Sequence, residues 1–449
     1  MGEKLSNIGK KVLKIIWIPI LLGFSLFTSV DDKDYKTADF YNTTLGRLDS
    51  LKQVFNRQDP GSILVGWGKA NITPPEPVRL TGKNWDVYNE VLDSVYVRAF
   101  IFSNTAQKIA LLSYDLWIMH PHLTEAIKEK IASSNLGITG IYFTANHSHT
   151  SIGGWATGLL GALAIGGNHP ERITFLEDRT LEALQLANAN LKPSLTGFSE
   201  VRAKNMVSNR LDPNAPVDDK LRFLQFQNDS KELAIFATFS AHSIFMVKGL
   251  NALSADYPGP LIATLESSDS VDFACFAPGA TGSHTPVGRK PFEYSKMEAY
   301  GQVLAARLLS KQQKIVLDTT EILKYAEWPV DLRSPHFRVS NHWRFRPWAF
   351  NSAMGNHSAT ITALRVGNTV LIGLPVELSG EFSTEFEDVC KSKGLSLMVT
   401  SFNGNYMGYV NPEKYYYTLN KPETRDMNWY GPQNGEYFVD LIKELLAII

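Results

Sequence analysis

Short runs of β-branched and aromatic residues, each closed by turn residues, alternate with amphipathic stretches along most of this chain. Residues 63–68 (ILVGWG) read as a strand that ends in the turn Thr73-Pro74-Pro75. Residues 95–102 and 109–114 read as a strand pair about Ser103-Asn104-Thr105. Leu123, Ile127 and Ile131 recur at helical spacing, which predicts a helix over 121–134. A strand at 140–147 follows it, then a long helix at 172–191. Strands are expected at 221–226 and 233–240, another from 274 that runs into a Gly loop, and a helix at 300–309. Gly367-Asn368 is a two-residue hairpin signal between strands at 360–366 and 369–374. A helix at 382–393, a strand at 395–400 and a closing helix at 436–448 complete the pattern. Residues 325–358, rich in Trp, Arg and Pro without a period, are expected to form an ordered excursion over the surface. The alternation predicts an α/β fold: a single large domain with a mixed β-sheet core flanked by helices and a site at strand ends. No internal repeat is evident.

The ends divide the chain further. Lys4, Lys10, Lys11 and Lys14 precede residues 15–30, IIWIPILLGFSLFTSV, which carry no charge. A basic segment before an apolar one predicts that residues 1–30 are an export signal or N-terminal membrane anchor. The positive flank would place the rest outside that membrane, so an exported, periplasmic or extracellular location is expected. Residues 31–57 read as a linker with a helix over 39–57, and residues 58–449 as one compact domain. With 44 basic and 45 acidic residues, the chain lacks the excess a nucleic-acid binder needs. The glycines of 153–167 match neither phosphate-binding pattern, so no nucleotide cofactor is expected. Cys275 and Cys390 are too few and too far apart for a thiolate metal site, so any metal would have nitrogen and oxygen ligands.

Candidate chemistry collects at strand ends. Asn146-His147-Ser148-His149 follows the strand at 140–147, and in an extended strand residues two apart face the same side. That pair alone also fits a strand terminus with hydrogen-bonded histidines. His242 closes the strand at 233–240, and Glu377 follows the one at 369–374. Tyr406 and Tyr409 come soon after the last strand. Asp115 ends the strand at 109–114, where helix capping is the default reading. Imidazoles plus a carboxylate would suit a catalytic zinc with an open position for water. His120, His122, His169, His284, His336, His342 and His357 have no argued partner and are read as bystanders.

The series GWGKANITP, SVYVRAFIF, LLSYD and NHSHTSIGG, followed by Asn209-Arg210, Ser240-Ala241-His242, Leu374-Pro375-Val376-Glu377 and Tyr406-Met407-Gly408-Tyr409, resembles the neutral/alkaline (non-lysosomal) ceramidase family over about residues 63–432. The resemblance implies a zinc ion held by His147, His242, Glu377 and Tyr409, with Tyr406 the alternative phenol. It implies that His149 is the catalytic histidine beside the metal, that Tyr409 also stabilises the oxyanion, and that Arg210 contacts substrate. The implied reaction is hydrolysis of the N-acyl amide of ceramide or a related lipid amide, by attack of a zinc-bound water. A lipid-like amide and a membrane surface are the implied partners. The chain departs from the family in three places. Thr150-Ser151-Ile152-Gly153-Gly154 stands where Ser-Gly-Pro-Gly is usual. Lys421-Pro422-Glu423-Thr424-Arg425-Asp426 lacks a tyrosine the family carries in that interval, and no C-terminal β-sandwich is expected. These departures leave two alternatives: another amide or ester, such as an N-acyl amino-acid lipid, or a non-catalytic lipid-binding relative.

Overall fold

The computed structural model describes residues 23, 25–58, 61–82, 87–246, 251–290, 293–355 and 358–449. Strands form where the apolar runs predict them, with one addition, β5: β1 (Leu64–Asn71), β2 (Tyr96–Ser103), β3 (Lys108–Tyr114), β4 (Gly140–Ala145), β5 (Lys192–Arg202), β6 (Lys220–Asn228), β7 (Leu233–Phe239) and β8 (Phe273–Pro278). They make one mixed sheet in the order β8-β7-β6-β5-β1-β2-β3-β4. A second sheet contains β9 (Leu323–Val330), β10 (Ala359–Val366), β11 (Thr369–Gly373) and β12 (Ser396–Thr400), in that order.

The backbone repeats one unit three times. In β1–β4 the first three strands pair antiparallel, and the fourth joins parallel after the helix Pro121–Ala132. In β5–β8 the same pairing recurs, with the helix Pro258–Glu266 before the last strand. In β9–β12 it recurs with the helix Ser383–Ser392. This corrects the expectation of no internal repeat: the repeat lives in hydrogen-bond topology, while the side chains differ from unit to unit. Parallel partners need a helical crossover, so each unit carries its last two strand ends to one edge.

Those edges meet. Ser401, just past β12, donates its N–H to Pro278 O at 3.0 Å and its hydroxyl to Gly279 O at 2.7 Å, both at the end of β8. Thr144 of β4 donates to Ser401 O at 3.2 Å, and Ser243 beyond β7 donates to Asn146 O at 2.7 Å. All of these groups are buried, so each bond also avoids the cost of an unpaired polar atom. Between the sheets, Phe100, Phe102, Tyr142, Phe226, Leu371 and Met398 share one core cluster. Burying each such side chain contributes roughly 1.5–3 kcal/mol. The helix Pro170–Ala189 lies directly on β1: a Cβ added at Gly66 would sit 2.0 Å from Ala187 O. Arg222 on β6 pairs with Asp218 at 2.9 Å and with Glu387 of the helix Ser383–Ser392, fastening the two sheets together.

Several expectations need revision. The helix expected over 39–57 is two helices, Asp39–Leu45 and Leu48–Asn56, separated at Gly46-Arg47. Strand β5 was not legible because its outer positions are polar and only partly buried, so it lacks an apolar run. Strand β9 opens the presumed excursion, whose remainder includes the strand Trp343–Phe345 and the helix Pro347–Met354. Most of the expected export segment lies outside the described residues. Its end, Phe27–Ser29, pairs antiparallel with Trp343–Phe345. Among the described residues, no helix is long and apolar enough to cross a membrane. Cys275 and Cys390 are both buried free thiols.

Candidate metal centre

His147 stands just beyond β4 with φ +66°, a left-handed conformation costly for a side chain of its size. Strand alternation therefore does not bring His147 and His149 together, since β4 has already ended at Ala145. The turn is held instead by neighbours. His147 donates its N–H to Leu116 O at 3.0 Å and its Nδ1 proton to Trp117 O at 2.6 Å. Its ring stacks on Phe402 with centroids 4.0 Å apart. Asn146 buckles the turn: its amide donates to Asp115 at 2.7 Å and to Ala255 O at 2.9 Å, and its Oδ1 accepts from Ser148 N at 3.0 Å.

The other expected residues arrive from the remaining two units. His242 follows β7, and Tyr257 fixes the backbone before it by donating to Ala241 O at 2.6 Å. Glu377 lies past β11, in a two-residue strand paired parallel with Tyr409-Val410, so Glu377 and Tyr409 are register partners. The approach is close here too, because a Cβ at Gly282 would meet Glu377 O at 2.3 Å. Metal-binding atoms of His147, His149 and His242 all lie within 4.8 Å of one another. Glu377 reaches His147 Nε2 at 3.7 Å and His242 Nδ1 at 3.3 Å. His149 Nε2 lies 3.2 Å from His242 Nε2. Tyr406 donates to Glu377 Oε1 at 2.7 Å, while Tyr409 accepts from Arg210 Nη2 at 3.3 Å. Arg210 Nη2 also donates to His242 Nδ1 at 3.2 Å and to Gly282 O at 3.1 Å. All six expected site residues, with Tyr406, thus share one place.

Burial sets the charge states. It lowers His147 and His242 well below the ordinary histidine range, helped for His147 by His149 and for His242 by Arg210. It lowers His149 to about 3, with Arg210 and Arg289 adding to the effect. It raises Glu377 to about 7 against the pull of Arg210, and holds Tyr406 and Tyr409 as neutral phenols. Three neutral imidazoles beside a carboxylate are a donor set suited to a divalent ion. His147 Nε2 and Glu377 Oε2 are buried without a hydrogen-bond partner, which is the state of a ligand atom lacking its ion. The residues therefore fit a metal.

Three of the histidines read as bystanders have partners outside the cluster. His284 is fully buried but satisfied, since its Nε2 accepts from Asp218 N at 2.8 Å and its Nδ1 meets Ser283 at 2.7 Å. His336 is satisfied by Asp31 N and Ser334 O. His120 caps the helix Pro121–Ala132, and His357 lies outside the described residues. Asp115 is a correction: it caps no helix but accepts from Tyr96 N at 2.8 Å and Asn146, and burial lifts its acid to about 7. Sequence reasoning also passed over Phe402, Asp256 and Glu423. Phe402, which stacks on His147, and Asp256 both have positive φ, a strain that no residue pattern announces. Glu423 pairs with Arg210 at 3.1 Å from a segment noted only for what it lacked.

Comparison with known proteins agrees with this fold. No curated protein matches the chain. The crystal structure of neutral ceramidase from Pseudomonas aeruginosa superposes with a TM-score of 0.71 at 18% identity, covering 86% of this chain and 74% of that one. A ceramidase complexed with C2 gives a TM-score of 0.72 at 17% identity, covering 86% and 75%. At such identities these matches carry the fold. Residues 63–286, which span β1 through β8 and include His147, His149, Arg210 and His242, match the family profile described as neutral/alkaline non-lysosomal ceramidase, N-terminal. The chain belongs to the neutral/alkaline non-lysosomal ceramidase family.

Proposed function

We propose that this chain is a zinc-dependent amidohydrolase that cleaves the N-acyl amide of ceramide or a close lipid amide to a fatty acid and an amine. The observation that carries the reading is the buried His147/His149/His242 group beside Glu377, with donor atoms left open, in a chain of ceramidase family. His147, His242 and Glu377 would hold the ion, with Tyr409 or Tyr406 as the phenol ligand. The chemistry zinc supplies when bound is Lewis acidity toward water and the amide carbonyl.

The chain's own groups supply the rest. His149 is the member of the trio with partial solvent access, and it is neutral at physiological pH. It can therefore take a proton at Nε2 and return it to the leaving nitrogen. The neutral phenol of Tyr409 can donate to the oxygen on which negative charge develops. Arg210, charged at every relevant pH, orients a substrate oxygen. Exposed Leu159, Leu163, Trp343 and Trp348 support a membrane-facing surface. Trp348 donates to Ser25 O at 3.2 Å, within the apolar N-terminal run, in keeping with an exported protein working at a membrane.

The test incubates the full chain with ceramides and N-acyl amino acids and measures fatty-acid release. Release from ceramide is expected, lost with chelator and restored by zinc. Chelator-insensitive release would sink the zinc reading, and release only from non-sphingoid amides would sink the ceramide one.

A pH prediction follows from the charge states. Glu377 is raised to about 7, so below that pH it carries a proton that it must release to bind metal. His147 and His242 are depressed and do not compete until well below 6.5. Zinc affinity, read by chelator competition, should be flat above about pH 7 and fall about tenfold per unit below it. A midpoint near 6.5 with a steeper slope would assign the competing protons to the histidines instead.

A further inference from the structure

The Arg210 guanidinium is shared out atom by atom. Nη1 is held by Glu423 Oε1 at 3.1 Å. Nη2 is occupied by His242 Nδ1, Gly282 O and Tyr409 OH. Nε is buried and has no partner. Recognition of a carboxylate by arginine normally uses two parallel N–H groups on one edge of the fork. Here every edge that includes Nη1 or Nη2 is already engaged, and Nε alone can serve one acceptor.

Glu423 is built into this position. It lies in the short turn Pro422–Thr424. Lys421, at the start of that turn, clips it to the carbonyls of Arg210 and Leu211. Asn411 donates to Glu423 O at 3.0 Å, and Arg338 donates to Thr424 O at 2.7 Å. The ion pair is mostly shielded, with side-chain exposures of 17% for Arg210 and 14% for Glu423, so solvent screens it little. Arg289, the other guanidinium whose field reaches His149, is itself opposed by Asp256 and Glu423. An incoming carboxylate would meet an engaged fork and a fixed negative charge.

We propose that Glu423 is a specificity-determining residue: it restricts this site to amides whose amine portion presents an uncharged oxygen, as an amino alcohol does, and turns away N-acyl amino acids. This rests on the hydrolase reading above and names its substrate class. Like charges brought together at a desolvated site discriminate by repulsion rather than by lost attraction.

The experiment uses the zinc-loaded full chain with a ceramide, a long-chain N-acylglycine and the methyl ester of the same N-acylglycine. The last two differ in charge and by one methyl group, and release of the fatty acid reports cleavage of the amide bond in both. The ester should be cleaved with a kcat/KM at least about tenfold above that of the acid, and Glu423→Gln should shrink the gap by about tenfold. Glu423→Asp, which keeps the charge, should retain the gap. Equal rates for acid and ester in the unaltered protein would overturn the proposal, whether or not Glu423→Gln folds. So would a gap that Glu423→Gln leaves unchanged. Turnover of neither ceramide nor ester would instead overturn the hydrolase reading.

Discussion

His147→Ala should abolish zinc binding and turnover together. The His147 imidazole offers its Nε2 to the cluster with no competing hydrogen bond, and Glu377 lies 3.7 Å from that atom. Its neighbour Asn146 cannot replace it, being committed to Asp115, Ala255 O and Ser148 N. A Lewis acid contributes several kcal/mol to the transition state, so kcat/KM should drop by at least roughly 10³-fold. Zinc per chain, read by elemental analysis after dialysis, should fall from one toward zero. The substitution also removes the stack on Phe402 and leaves a left-handed alanine. Circular dichroism at the assay temperature must therefore show a folded chain. A folded His147→Ala protein that keeps stoichiometric zinc would remove His147 from the ligand set.

The centre was legible in residue types and strand ends, but its assembly was not. His147, His242 and Glu377 each follow a short apolar run rich in β-branched and aromatic residues, so their placement at strand carboxyl ends could be read directly. What brings the three ends to one edge is the thrice-repeated pairing of strands. That repeat is invisible to self-comparison because hydrogen-bond topology constrains which faces are apolar, not which residues fill them. Strand β5 joins the first two units through Leu64–Pro193 and Val65–Lys192, and its half-polar sequence hid that junction. The closeness of His147 and His149 was expected for the wrong reason, since a left-handed turn and not strand alternation sets it. Tyr409 was legible only by resemblance, and the parallel pairing with Glu377 now supplies its physical cause. Glu423 could be noticed only as a departure, because its role depends on Arg210, more than two hundred residues earlier.

His149→Ala should separate what His147→Ala joins. Glu377 contacts both His147 and His242 but makes no ion pair with His149, and His149 alone of the three is partly open to solvent. On the proposed hydrolase reading, this arrangement would make His147, His242 and Glu377 the holding set, with His149 placed to carry a proton. The loss of a general acid–base group costs about 10²–10⁴-fold in turnover, so kcat should fall by that much while zinc per chain stays near one. The leaving amine supplies a second readout. In the unaltered protein an amide must have its nitrogen protonated to leave, whereas an ester of similar shape leaves more easily. His149→Ala should therefore lose at least about tenfold more on the amide than on the ester. Equal losses on both, together with loss of zinc, would make His149 a third imidazole ligand. Its Nε2, 3.2 Å from that of His242, is near enough to compete for that place, so zinc content and the amide-to-ester ratio must be measured on the same preparation.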